Sequence, residues 1–354
     1  MLTRCPFNHL KQRSVPDDAL RQKTVLCYTF TPMMTSFEQW LNASCELTDC
    51  RLEPLAGDAS FRRYVRVHHL DQTYIAMDAS LEKASCVPFV AIAKSLQKRG
   101  LCAPRIFAEN LSEGFLLLED FGDRLLLREL TKTNALTHYQ HALDTLVIMQ
   151  QTTVDDWTLK PFTAEFMRAE LMLFKEWFLE KHLMLALTDL THHMLDETFD
   201  CLAREAAVQP KVFMHRDYHS ANLMVLPEDK IGVLDFQDAF YGPVTYDLVS
   251  LLRDCYIDWP EQMVQELVRF FYEKIKLPSV SFNAFLRWFD WMGVQRHLKA
   301  LLTFSRKYQR DHNDHYLQYI PRTLNYVLTI SERYAEMKSL HQFLKNQVVE
   351  KCVE

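Results

Sequence analysis

The stretch that most constrains this chain is His215-Arg216-Asp217-Tyr218-His219-Ser220-Ala221-Asn222, followed after a short gap by Asp235-Phe236-Gln237-Asp238. Val212-Phe213-Met214 forms an apolar approach to it. Residues 223–226 and 231–234 are short apolar runs joined by Pro227-Glu228-Asp229-Lys230, which predicts a small hairpin. That hairpin would bring Asn222 and Asp235 to the same end, with an amide oxygen and a carboxylate facing one point. Oxygen ligands of this kind suit Mg²⁺, which keeps several waters and shares its shell with phosphate oxygens. Asp217, five residues before Asn222, would lie beside the metal and accept a proton from a hydroxyl nucleophile. A lone H-x-D says little. The full H-R-D-x-x-x-x-N pattern, a hairpin-length gap and then Asp-Phe outline a site for phosphoryl transfer.

The text on the two sides of residue 120 differs in kind. Upstream, residues 52–55, 61–67 and 74–77 are strand-like, and 61–67 alternates bulky with basic residues. Between the first two lies Gly57-Asp58-Ala59-Ser60, a tight turn whose backbone N–H groups can cradle phosphates. Gly57 permits the turn, and Ser60, Arg62 and Arg63 supply donors. The chain holds only seven glycines, so no glycine-rich loop is available for this task. Residues 88–98 place Phe89, Ile92, Ala93 and Leu96 on one helical face, and 104–108 and 115–118 suggest two more strands. Beyond residue 123, spacings of three and four predict helices over 125–130, 138–151, 162–185, 189–207, 246–253, 262–275, 282–304 and 321–344. The fold class is therefore α+β: a small antiparallel sheet followed by a larger, mostly helical part.

A chain of 354 residues suits one large domain or two lobes. We expect a poorly ordered, dispensable N-terminal extension over 1–34, an N-lobe over 35–119 and a C-lobe over 120–354. The net charge of -6 argues against a broad footprint for nucleic acid. No apolar run approaches a membrane span. Nine irregularly spaced cysteines without a C-x-x-C pair support neither a disulfide framework nor a zinc site, and point to the reducing cytoplasm. Asp311-His312-Asn313-Asp314-His315 reads as a hydrated loop.

Taken together, these stretches resemble the aminoglycoside-phosphotransferase branch of the protein-kinase-like fold. Within that branch, Gly57–Tyr64, Met77-Asp78-Ala79, Pro88–Ala93, Gly114–Asp120, the run from Val233 to Tyr256, and Gln295-Arg296-His297-Leu298-Lys299 resemble one family. It comprises the cytoplasmic anomeric kinases of N-acetylmuramate and N-acetylglucosamine that act in bacterial cell-wall recycling. The likeness covers roughly residues 35–340. It implies a two-lobed fold and transfer of the ATP γ-phosphoryl group to the C1 hydroxyl of an N-acetylated amino sugar. A partner nucleotidyltransferase would consume the sugar 1-phosphate. Asp217 would be the base or orienting group, and Asn222 and Asp235 would hold Mg²⁺. The nucleotide would lie on Gly57, Asp58, Ser60, Arg62 and Arg63, with adenine on the backbone of the linker that contains Glu119 and Phe121. Tyr218, His219, Asp238, Tyr246, Asp247 and Arg253 are the candidates for the sugar.

One departure from the wider kinase pattern matters. The strand that should end in a phosphate-binding lysine reads Ile75-Ala76-Met77-Asp78, and the helix over 88–98 carries no acidic residue to pair with one. A compensating cation is expected from Arg62, Arg63 or Lys83. Two other functions stay open: a kinase of this fold with an aminoglycoside, choline or protein acceptor, and a catalytically silent nucleotide-binding protein.

Overall fold

The computed structural model describes residues 32–45, 47, 50–55 and 62–353. The chain divides into two compact units, ending and beginning at Cys50 and Arg51. The described part of the first unit contains helix α1, Pro32–Ser44. All but the last three residues of the expected 1–34 extension fall outside the described residues, as does the whole Gly57–Ser60 turn.

The second unit opens with strands β1 (Arg51–Pro54), β2 (Arg63–His69) and β3 (Gln72–Asp78). Helix α2 (Cys86–Lys98) follows, then β4 (Ile106–Asn110) and β5 (Phe115–Glu119). The five strands pair antiparallel in the order β1-β2-β3-β5-β4. Strand alternation turns Val65 and Val67 inward, while α2 buries Phe89, Ile92, Ala93 and Leu96. The apolar face that the spacing predicted for this helix is the face that packs.

The remainder is mostly helical. It comprises α3 (Leu126–Glu129), α4 (Ala135–Gln150), α5 (Ala164–Phe174) and α6 (Asp189–Ala207). After these come α7 (Tyr246–Leu252), α8 (Glu261–Ile275), α9 (Phe282–Asp311), α10 (Ile320–Ser331), and the short α11 (Lys338–Phe343) and α12 (Val349–Val353). Thr163, Thr188 and Ser281 cap α5, α6 and α9, each side-chain oxygen accepting a backbone N–H of the first turn. Strands β6 (Lys160–Pro161), β7 (Lys211–Met214) and β10 (Phe240–Pro243) form a small sheet. The predicted hairpin is β8 (Leu223–Val225) with β9 (Ile231–Val233), joined by a 3-10 turn.

Three helices differ most from the spacing's prediction. The 162–185 helix widens into a π-helical segment over Lys175–His182, where buried Lys175 donates to the His192 carbonyl and Asp196. The 321–344 helix stops at Ser331, because Tyr334 turns its hydroxyl to Asp290 at 2.8 Å. Helix α9 runs past residue 304 to Asp311 and is ended by His312 in the left-handed region. Among the described residues no helix is long and apolar enough to cross a membrane.

Candidate active site

The loop after β7 is held by its backbone. Asp247, at the start of α7, accepts the N–H of His215 at 2.7 Å and of Arg216 at 3.0 Å, one on each carboxylate oxygen. Burial pushes the Asp247 carboxyl up to about 6 against these two donors and the nearby His215. His215 is fully buried; its Nε2 donates to the Leu234 carbonyl and its Nδ1 accepts the Asp217 N–H. It supports the loop. Arg216 adopts φ +78° and Asp235 φ +60°, a left-handed conformation that side chains rarely take and that concentrates at functional sites.

Hairpin register does the rest. Leu223 pairs with Val233, and the Leu234 N–H donates to the Asn222 carbonyl, so Asn222 and Asp235 flank the open end. The Asn222 amide nitrogen donates to the Asp217 carbonyl at 3.0 Å, leaving its side-chain oxygen for another partner. Asp217, Asn222 and Asp235 are thereby brought together.

Two cavities meet there. Asn222 and Asp235 line both. One, of about 340 Å³, opens under the five-stranded sheet between Arg62, Tyr64, Leu118, Phe121 and Phe236. The other, of about 400 Å³, lies on the helical side with Asp217, His219, Tyr256, Arg296 and Lys299 on its wall. Burial alone would raise the Asp217 pKa. Lys299 foremost, then His219, Arg296 and Arg216 outweigh that and hold its carboxyl well below the usual carboxylate range. Burial likewise works against charge on Lys299, but Tyr246 and Asp217 keep its ammonium favoured.

Of the other sequence candidates, Glu119 and Phe121 line the sheet-side cavity, as does Arg62. Arg62 is 8% exposed, lies 3.7 Å from Asp235 and 3.8 Å from Glu82, and donates to Ser85. Arg63 instead pairs with Asp78, and Lys83 with Glu113. His219 reaches the helical-side cavity; the structure does not bring the remaining sugar candidates to it. Tyr218 is buried and donates to the Ala142 carbonyl, because the residue beside the base alternates into the core. Tyr246 is buried and takes a bond from Lys299, and Asp247 is spent on the loop. Arg253 is 1% exposed, paired with Asp290 and Glu261 and stacked over Phe289. Asp238 is exposed and lines neither cavity. The sequence stretch around Arg296 and Lys299 had pointed only to a resemblance; their spacing of three on a helix was the available signal.

A profile of the phosphotransferase enzyme family matches residues 51–278. The chain belongs to that family. It is an ATP-dependent phosphotransferase. Among relatives, the N-acetylmuramate/N-acetylglucosamine kinase of Pseudomonas aeruginosa is 41% identical over 84% of this chain and 89% of its own. That of Neisseria meningitidis serogroup B is 38% identical over 90% of this chain and 96% of its own. Solved structures share the fold at lower identity. An ADP-bound aminoglycoside phosphotransferase has a TM-score of 0.59 at 13% identity, covering 82% of this phosphotransferase and 97% of that chain. A choline kinase from Streptococcus pneumoniae has a TM-score of 0.60 at 14% identity, covering 84% and 100%. The two-lobed protein-kinase-like fold is shared with these solved structures.

Proposed function

We propose that this phosphotransferase moves the γ-phosphoryl group of ATP to the anomeric C1 hydroxyl of N-acetylmuramate and N-acetylglucosamine. The observation that carries this reading is the pair of cavities sharing Asn222 and Asp235. One has Leu55, Tyr64, Ile75, Phe89, Leu118, Phe121 and Phe236 among its lining; the other has the cations Arg216, Arg296, Lys299, Arg306 and Lys307 interleaved with Glu170, Asp217 and Asp254. The first fits a nucleoside, with Phe121 and Glu119 on the linker beside it. The second fits a polar acceptor, and the cations Arg296 and Lys299 weigh against a cationic one such as choline or an aminoglycoside. The names of the relatives narrow the acceptor to these sugars.

In this reading Asp217 orients the sugar hydroxyl and takes its proton late. A carboxyl held so far down is a weak base. A loose transition state asks for positioning more than for early deprotonation, and an anomeric hydroxyl is more acidic than an ordinary alcohol. The oxygen of Asn222 and the exposed carboxylate of Asp235 form a donor set that fits Mg²⁺, and they would hold it. Bound there, it would neutralise charge between the β- and γ-phosphates. Arg62 supplies the cation that β3 lacks, and its pairing with Glu82 replaces the usual lysine–glutamate pair. The product, a sugar 1-phosphate, would pass to a nucleotidyltransferase in cytoplasmic peptidoglycan recycling.

Phosphorus NMR of the protein with Mg-ATP and either sugar tests the reaction. A new phosphomonoester signal coupled to an anomeric proton is expected, and Asp217→Ala should slow its growth about a hundredfold or more. ATP binding without phosphorylation of either sugar would leave the family standing and remove the acceptor.

A further inference from the structure

Helix α9 carries four cations into the helical-side cavity: Arg296, Lys299, Arg306 and Lys307. Steps of three and seven put the first three on one face, with Lys307 at its edge. The inner two act on Asp217 and belong to the transfer site. Arg306 lies seven residues past Lys299, about 10 Å farther along the axis at the usual helical rise.

The outer pair is only loosely engaged within the protein: both charges act on Asp311 at a distance, and Lys307 rests over the Tyr316 ring. Among the described residues neither Arg306 nor Lys307 makes an ion pair with a carboxylate, whereas the next basic residue, Arg310, is paired with Asp311. The Nε of Arg306 is buried without a hydrogen-bond partner. The Lys307 ammonium lies 4.7 Å from the centre of the Tyr316 ring, which stacks on Phe304 and lines the same cavity. A desolvated donor without an acceptor, as at Arg306 Nε, is costly, and a carboxylate on the ligand would satisfy it with a charge-assisted bond.

We infer that Arg306 and Lys307 receive a carboxylate carried by the acceptor beyond its sugar ring, and so set the preference between an acidic and a neutral amino sugar. The inference rests on the acceptor reading above. With the anomeric hydroxyl at Asp217, the ring extends along α9. The lactyl arm of N-acetylmuramate, carried on O3 two ring carbons from C1, then extends past the ring toward the outer pair. N-acetylglucosamine has only a hydroxyl at that position and leaves the pair unused.

Arg306→Gln and Lys307→Gln, each assayed by ADP release with both sugars, test this. In Arg306→Gln the KM for N-acetylmuramate should rise about tenfold with kcat little changed. Its parameters for N-acetylglucosamine should stay within about twofold, which also reports that the variant is folded. Arg306→Lys should restore part of the loss, and added salt should raise the KM of the parent enzyme for the acidic sugar alone. Equal losses for both sugars, or no loss for either, would overturn the assignment. If the parent enzyme phosphorylates neither sugar, the acceptor reading itself has failed and this inference goes with it.

Discussion

Arg62 is placed where it could stand in for the cation that β3 lacks. β3 ends without a lysine, yet a buried guanidinium just before β2 reaches toward Asp235 and is steadied by Glu82 and Ser85. Arg62→Ala should therefore raise the KM for ATP roughly tenfold, since hydrogen bonds to charged groups contribute of that order. Arg63→Ala and Lys83→Ala, whose cations are spent on Asp78 and Glu113, should change it little. Steady-state kinetics on the three variants decides, and an unaffected Arg62→Ala would sink the idea. The sequence narrowed the choice to these three cations but could not rank them. Glu82 belongs to a 3-10 turn before α2, so a search for an acidic partner along the helix itself does not meet it. Asp217, Asn222 and Asp235 were legible because covalent spacing and a two-strand hairpin bring them together. Tyr218 and Asp247 were misplaced because proximity in sequence to a reactive group says nothing about which way a side chain faces.

At the level of the element, β9 works as a spacer for the nucleotide side. A Cβ built on Gly232 would come within 2.8 Å of the Phe121 ring, and Leu226 stands 3.2 Å away. The linker after β5 is otherwise anchored by Arg66, which binds Asp120 through two bonds of 2.7 and 3.1 Å. Gly232→Ala should push Phe121 into the sheet-side cavity and raise the KM for ATP about fivefold, as expected for roughly 1 kcal/mol of overpacking. The KM for the sugar should hold; a matching rise there would place the defect elsewhere. Helix existence was read well from periodicity, with residues 189–207 recovered to the residue as α6. Helix ends were read less well where tertiary contacts decide them. Ending α9 at residue 304 cut off Arg306 and Lys307, and with them the outer half of the cation row.

For the whole molecule, Asn222 and Asp235 line both cavities, so the proposed metal, nucleotide and acceptor sites should respond as one unit. Mg-ATP at about a hundred times its dissociation constant should stabilise the protein by about 2.7 kcal/mol, visible as a rise in melting temperature. A chelator should remove most of that rise, and Asp235→Asn should be insensitive to the chelator. An unchanged response in Asp235→Asn would place the metal elsewhere. Helix α9 adds a consequence of another kind. One face of it is packed into the core from Phe285 to Ser305, while another face of its C-terminal half, from Arg296 to Lys307, lines the helical-side cavity. Stability and the proposed acceptor choice thus sit on different faces of one rod. A lineage could exchange Arg306 and Lys307 on the cavity face, trading one acceptor for another, while Leu301, Leu302 and Phe304 keep the core closed, which makes this face a place where new substrates can be explored at little structural risk.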